Sequence, residues 1–289
     1  MYTQAWLKMM WRGDRDSAVQ YDLRGEEPLT MTDAGFPTMN FGYWRDVRPE
    51  TPDPLWAATC ALFHRVGDLA ELGPGDDYVL DAGCGFGTNA RYVAEQFGCR
   101  HVVGLNVSAV QLARCRNIAA DSARAKHITF CHGSAVRMPF ADASFDKIVS
   151  VEAAFHFPPR QEFFREAFRV LRPGGILAIA DLVPPPPRGP LQRLEIELLC
   201  RALQIPRENV YDVSRYRTQV AAAGFTISEL SSIREHVLAR YQRWFFSRPV
   251  RRVMGLRPIL VLSAAPFFIY PWEYICLKAR KPLFPASTD

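Results

Sequence analysis

The sequence has no long apolar run. Its most apolar late stretch, residues 258–270, is 13 residues long and broken by Pro266. A helix that crosses a bilayer needs about 20 apolar residues, so no stable membrane insertion is expected. The opening, MYTQAWLKMMWRGDRD, has neither a continuous apolar centre nor a small-residue cleavage site, which argues against a secretory signal. Metal-ligand spacing is missing as well. The seven cysteines stand at 60, 84, 99, 115, 131, 200 and 276, an odd number with no CxxC pair. They read as reduced thiols of a cytoplasmic protein, with no metal site. Dense charge of one sign is also missing. The net charge is +5, but 30 arginines and five lysines are spread along the chain. So diffuse an excess makes no case for a nucleic-acid partner. The 18 glycines and 22 prolines are too scattered for a collagen-like or low-complexity chain.

What is present is ordinary globular material. The 289 residues are 48% hydrophobic and 22% charged, enough for a sizeable core. Residues 1–50 are irregular and rich in aromatics. Apolar residues at helical spacing predict a helix over 54–73, stopped by Gly73, Pro74 and Gly75. From Tyr78 onward strands and helices alternate. Strands are expected over 78–80, 101–105, 128–131, 145–151, 174–181, 225–230 and 274–278. Helices are expected over 88–97, 108–120 (with Ser108 as N-cap), 159–170, 190–203 and 214–223. The strands are continuous apolar or β-branched runs. That pattern predicts an α/β fold, doubly wound around a mostly parallel seven-stranded sheet covered on both faces.

The segment VLDAGCGFG, residues 79–87, carries the chemistry. A strand ends in Asp81, the chain turns through Gly83, Gly85 and Gly87, and a helix begins. Glycine lets the backbone touch a ligand and adopt positive φ. The helix N-terminus then offers N–H groups to an anionic end. The spacing is GxGxG rather than the GxGxxG of dinucleotide enzymes, and Asp81 would repel a pyrophosphate. A ligand with an ammonium, a carboxylate and a ribose suits this loop better.

VLDAGCGFG closely resembles the first motif of class I S-adenosylmethionine-dependent methyltransferases. Further landmarks follow in order: VVGLNVS (102–108), HGSAVRMPF (132–140), SFDKIVSVEAAFHF (144–157) and LRPGG (171–175). The likeness covers about residues 40–280 and is nearest to the sterol, tocopherol and sugar methyltransferase group. It implies a Rossmann-like catalytic domain over 51–283, with acceptor-pocket insertions in 184–270 and an N-terminal helical and aromatic lid over 1–50. It implies S-adenosylmethionine as cofactor and S-adenosylhomocysteine as product. By position, Gly83, Gly85 and Gly87 border the methionine half and Asp81 meets its amine. Asn106, where the family usually has an acid, binds the ribose without charge, helped by Gln111. Ser134 replaces a common adenine-binding Asp, so the Ala135 backbone is expected to serve. Asn40-Phe-Gly-Tyr-Trp44 resembles a motif that brings an aromatic hydroxyl to the methionine carboxylate, which makes Tyr43 a candidate.

The candidate base lies in VEAAFHF, after the fourth strand. His156 suits proton transfer near neutrality, and Glu152 orients it or acts itself. Tyr21, Phe155, Phe157 and Asp181 are expected at the acceptor, with Phe267, Tyr270 and Trp272 as further aromatic walls. The resemblance implies methyl transfer to a small, mostly hydrophobic specialised metabolite. Both O-methylation with His156 as base and C-methylation of an alkene or isoprenoid stay open. Two alternatives are a nicotinamide-dependent oxidoreductase and a non-catalytic S-adenosylmethionine-binding protein. Arg240, Arg243, Arg248, Arg251 and Arg252 interleave with aromatics, which reads as a solvated basic face over buried rings, with a membrane surface or acidic partner as the rival. The oligomeric state is left open, a homo-oligomer included.

Overall fold

In the computed structural model, which describes residues 30–31, 35, 37–38, 40–48, 50–74, 78–245 and 272–283, the alternation of strands and helices closes into a single large sheet. A short hairpin, β1 (Thr30–Met31) with β2 (Pro37–Thr38), precedes helix α1 (Pro54–Leu69). Then follow β3 (Tyr78–Ala82), α2 (Thr88–Phe97), β4 (His101–Asn106), α3 (Ala109–Ala120), β5 (Ile128–His132) and β6 (Phe145–Val151). Helix α4 (Arg160–Val170) leads into β7 (Leu171–Val183), α5 (Pro190–Ala202) and α6 (Val213–Ala222). The described chain closes with β8 (Thr226–Ser232), α7 (Arg234–Phe245) and β9 (Glu273–Arg280).

The seven-stranded sheet has the order β5-β4-β3-β6-β7-β9-β8. The first four pairings are parallel, and β9 is antiparallel to both β7 and β8. Strand order reverses between β3 and β6. In open α/β sheets the carboxyl edge at such a reversal is where ligands sit.

Strand periodicity divides the core into two layers. Val79, Ala178, Ala180 and Leu182 face one side with Leu62 and Val66 of α1, Val93 of α2 and Val237 of α7. Leu80, Leu177, Ile179 and Val183 face the other, against Phe163 and Phe164 of α4 and Tyr216 of α6. Because both faces are covered, these strands have no polar alternation and read as continuous apolar runs.

Three local expectations need correction. Helix α1 ends at Leu69, not at Gly73. Glu71 takes φ 55°, and its carboxylate is held by Lys278 and Arg280 of β9, so the chain turns before the glycines arrive. Strand β7 begins at Leu171, not at Gly174, so LRPGG forms its start; Leu171 already pairs with Phe145. The arginine and aromatic stretch begins inside a helix, α7. Its Tyr241 and Trp244 rings pack 5.1 Å from Phe41 and 5.5 Å from Trp44, while Arg240 and Arg243 point to solvent. Over the described residues the rings are packed and the two arginines exposed; Arg248, Arg251 and Arg252 lie outside them. Among the described residues no helix is long and apolar enough to cross a membrane, and no cluster of side chains could hold a metal ion.

Candidate active site

The glycine loop follows β3 at the carboxyl edge of the sheet. Gly83, Gly85 and Gly87 take φ of 80°, 54° and 80°. The N–H groups of Gly83 and Cys84 both donate to Leu105 O, at 2.9 and 3.1 Å, which folds the loop back over β4. A Cβ at Gly83 would stand 2.5 Å from Ala153 Cβ and 3.0 Å from the Phe157 ring. The loop after β6 therefore presses directly onto the glycine loop. Between them opens a cleft lined by Asp81, Gly83, Cys84, Gly85, Phe86, Thr88, Asn89, Val151 and Glu152, together with Thr38, Asn40 and Phe63.

Gly83→Ala tests the contact. The added methyl meets both a forbidden φ and a hard wall, so the loop must shift by a strain of overpacking size. The expected result is a loss of about 5- to 150-fold in affinity for a ligand of the cleft, with the thermal transition still cooperative. Unchanged affinity would mean that the loop does not shape the site.

Asp81 is 1% exposed, and its Oδ2 has no hydrogen-bond partner among the described residues. Burial pushes its carboxyl up to about 7, although the neighbouring Asn89 amide and Ala90 N–H favour the ionised form. An ammonium group in the cleft would favour that form further. The linkage has a definite sign. In the free protein the raised pKa gives stability that is complete below about 3.8 and is lost as pH rises through about 7. A cationic ligand reverses the balance. Its affinity is expected to fall as pH drops below about 7, by up to tenfold per pH unit, with one proton released per ligand bound. Titration calorimetry in two buffers of different ionisation enthalpy reads that proton, and Asp81→Asn should abolish it.

Asn106, expected at the ribose, is drawn into the fold. Its Nδ2 donates to Gly85 O and to Gln111 Oε1, both at 2.8 Å, and its Oδ1 accepts from Ser108 N at 3.0 Å. It braces the glycine loop against the turn after β4, and both amide protons are spent doing so. Gln111 is 1% exposed, and its Nε2 is buried without a partner. Ser134 turns inward as well: its Oγ accepts from Val136 N at 3.3 Å. Ala135 is buried beside it.

Tyr43 is not brought to the cleft. Its ring is 9% exposed and sits in the core, with the Arg65 guanidinium 5.7 Å above it and His236 against its edge. From the same motif Asn40 reaches the cleft instead, with Thr38; the Thr59 hydroxyl donates to Asn40 Oδ1 at 3.1 Å. Tyr21, Phe267 and Tyr270 lie outside the described residues. Trp272 is fully buried in the core.

The loop after β6 carries the proton-transfer candidates. Glu152 takes φ 50°, a strained conformation for a side-chain-bearing residue and one that concentrates at functional sites. Its N–H is tied to Ala180 O at 2.8 Å. Its Oε1 accepts from Phe41 N and from the Tyr274 hydroxyl, both at 2.7 Å. Burial pushes this carboxyl up to about 8, against the pull of those two donors. At neutral pH it is therefore mostly protonated in the free protein. His156 stands one turn further on, outside the cleft lining, with its ring 4.0 Å from Phe155. Its Nδ1 lies 3.1 Å from Gln204 O. A carbonyl only accepts, so the proton sits on Nδ1 and Nε2 is the basic nitrogen. Phe155 is 5% exposed and belongs to the core, whereas Phe157 is half-buried and packs against Phe163 and over Gly83.

Asp181, expected to meet the acceptor, is fully buried below this loop instead. Its Oδ1 accepts from Phe155 N at 3.0 Å, and its Oδ2 lies 3.1 Å from the Tyr216 hydroxyl and 3.4 Å from Arg160 Nε. Arg160 is also fully buried, sandwiched between the rings of Tyr211 and Tyr216 at 5.0 Å each. Asn209 completes the cluster by donating to Phe155 O and Phe157 O and accepting from Arg160 N. The catalytic-loop backbone is thus clamped from behind by four polar side chains. Sequence reasoning missed Arg160, Asn209, Asn89 and Tyr274; none belongs to a recognisable motif, and their partners are distant in the chain.

A Rossmann-like α/β sheet, a glycine cradle at its reversal and an acid facing the cradle define a class of nucleoside-binding enzymes whose ligand carries an ammonium. The comparisons with known proteins narrow that class. Residues 80–179 match the family model described as a methyltransferase domain. The chain is 30% identical to erythromycin 3''-O-methyltransferase of Saccharopolyspora erythraea over 94% of its own length and 93% of that protein's. It is 41% identical to sterol 24-C-methyltransferase of Schizosaccharomyces pombe, but over only 36% of this chain and 28% of that one. Among solved structures it is similar to geranyl diphosphate C-methyltransferase from Streptomyces coelicolor A3(2), with a TM-score of 0.73 and 18% identity, covering 92% of this chain and 97% of that one.

The chain belongs to the S-adenosylmethionine-dependent methyltransferases. It is an enzyme that transfers a methyl group from S-adenosylmethionine to a small molecule, and the oxidoreductase and non-catalytic alternatives are set aside. The residues fit this cofactor on their own geometry. Asp81 Oδ2 is an orphaned buried acceptor suited to an amine, and the glycine loop leaves open the space that side chains would fill.

Proposed function

We propose that this enzyme methylates a hydroxyl oxygen of a specialised natural product, with His156 as the general base. What carries this choice of atom is the extent of the likeness. The O-methyltransferase of erythromycin aligns along nearly the whole chain, acceptor side included, whereas the sterol C-methyltransferase aligns over about a third. The tautomer of His156 supports the same reading, because its basic nitrogen is the one turned away from Gln204 O.

When bound, S-adenosylmethionine supplies a methyl group already activated on a sulfonium, so the protein's work is alignment, exclusion of water and management of one proton. Asp81 would accept from the amine, and the backbone of Gly83, Gly85 and Gly87 would hold the methionine half. Gln111 Nε2, held by Asn106, is the donor assigned to the ribose. The Ala135 backbone is assigned to the adenine, with Ser134 shaping its turn. Ala153 and Phe157, pressed onto Gly83, keep water from the reacting atoms. His156 Nε2 would take the proton that the acceptor hydroxyl gives up. Glu152 holds the entrance of the loop against Phe41 and Tyr274. Residues 184–270, inserted between β7 and β9, carry the acceptor side in this reading, and residues 1–50 the lid. All seven cysteines are unpaired, which suits a reducing compartment, and we assign the enzyme to the cytoplasm.

Transfer of labelled methyl to a panel of phenols and sugar hydroxyls, against a panel of prenyl alkenes, tests the acceptor atom. Label is expected in the hydroxyl panel. Label confined to the alkenes would overturn the choice of oxygen.

A further inference from the structure

The loop that carries His156 is weakly held by its own backbone. Ala154–His156 makes a single 3-10 turn with no side-chain cap at its start. The His156 and Phe157 N–H groups donate back to Ala153 O and Ala154 O, at 3.0 and 3.1 Å. Hydrogen bonds in such turns are poorly aligned, so the turn alone does not fix the direction of a side chain. The carbonyls of Phe155 and Phe157, on either side of His156, need donors from elsewhere.

Segment 204–209, which joins α5 to α6, supplies them. Asn209 is fully buried. Its Nδ2 donates to Phe155 O at 3.1 Å and to Phe157 O at 2.8 Å, and its Oδ1 accepts from Arg160 N at 2.9 Å. The carbonyls can only accept and the N–H can only donate, so a single orientation of the amide satisfies all three bonds. Arg160 opens α4, where Pro159 offers no side-chain acceptor at the N-cap, and Asn209 takes that role from a distant part of the chain. The same segment holds the ring itself. Gln204 takes φ 56°, uncommon for a residue with a side chain, and its carbonyl stands 3.1 Å from His156 Nδ1. Asp181 and Arg160 grip the loop ahead of His156, through Phe155 N and Ala154 O. Asn209 spans it on both sides.

We infer that Asn209 is a positioning residue for proton transfer: with Gln204 O it keeps the His156 imidazole in one direction and one tautomer, with Nε2 as the basic nitrogen. It acts through His156 and not on the reacting atoms. An imidazole freed of these contacts exchanges its two tautomers, and a ring with its proton on Nε2 has no lone pair there to accept another. The inference rests on the reading of His156 as the base.

Two variants release the clamp. Asn209→Ala deletes the donors and the acceptor together. Asn209→Asp keeps the shape and the acceptor for Arg160 N, which protects folding, but has no proton to give the two carbonyls. Nitrogen chemical shifts of histidine-labelled protein above neutral pH read the tautomer, and His156→Ala identifies the signals of His156. Wild type is expected to show a protonated Nδ1 and a bare Nε2, and both variants a mixture of tautomers. Labelled methyl transfer is then followed with the hydroxyl compound of the panel that wild type methylates fastest. Both variants should lower kcat by about 10- to 100-fold, the cost of a misplacement of about 1 Å. Both should bind S-adenosylhomocysteine within about twofold of wild type. In a His156→Ala background Asn209→Asp should lower kcat by less than about twofold, because nothing is left for it to position. Wild-type nitrogen shifts in both variants overturn the inference. So does a loss of kcat that is undiminished in the His156→Ala background, since Asn209 would then support the fold at large. If His156→Ala itself turns over like wild type, the reading of His156 as base fails instead, and the nitrogen shifts still decide whether Asn209 holds the ring.

Discussion

His156→Ala lowers kcat by about two to four orders of magnitude, the usual range for a positioned acid or base, and leaves the affinity for S-adenosylhomocysteine unchanged. Two features of the site set this expectation. The imidazole is locked through Nδ1 to Gln204 O at 3.1 Å, so its basic nitrogen does not have to be selected during turnover. The ring also lies outside the lining of the donor cleft, so its removal should spare the donor. The pH profile supplies the second readout. If Nε2 takes the acceptor's proton, the wild-type rate falls as the imidazole protonates, and the variant loses that limb. An unaltered kcat would remove His156 from the chemistry and shift attention to Glu152, whose carboxyl ionises only above about 8.

The second large effect is on folding. Asp181→Ala removes the counter-ion of Arg160 in a cluster where both side chains are fully buried. Breaking such a pair leaves an uncompensated charge and costs about 3–5 kcal/mol. In a chain of this size that amounts to a fall of about 10 °C in the transition temperature. What Arg160 would keep is neutral: Ala154 O, which accepts from its Nε at 3.3 Å, and the rings of Tyr211 and Tyr216. Asp181→Asn removes the same negative charge, so it should lose most of that stability too, recovering only the acceptor for Phe155 N and Leu182 N. Thermal unfolding followed by circular dichroism gives the comparison. Equal stability of Asp181→Ala and wild type would show that Asp181 is not the anchor of the loop.

The sheet and the cradle were legible from the chain because local pattern alone determines them. Apart from Asp81 and Asp181, residues 79–82 and 176–183 are apolar without alternation, since both faces of those strands are covered. Glycine at 83, 85 and 87 has few other uses after a strand. The remainder depended on contacts across long sequence separations. Asp181 ends a strand at the ligand edge, where an acid suggests chemistry, and only Arg160 and Tyr216 make it structural. Asn106 has the right position for a ribose, but Gly85 O and Gln111 take its amide protons. Tyr43 and Asn40 are three residues apart, and the backbone between them decides which one faces the cleft. The helix of α7 was obscured because its aromatic stripe has its partners at Phe41 and Trp44, almost 200 residues away in the chain.

The most direct test of the whole account is calorimetric titration of the folded protein with S-adenosylhomocysteine and with a nicotinamide dinucleotide. One molecule of S-adenosylhomocysteine is expected to bind per chain, with release of a proton near pH 6 from Asp81, and the dinucleotide is expected to give no heat. Saturable binding of the dinucleotide, or silence with S-adenosylhomocysteine, would contradict the assignment of the glycine cradle to a methyl donor.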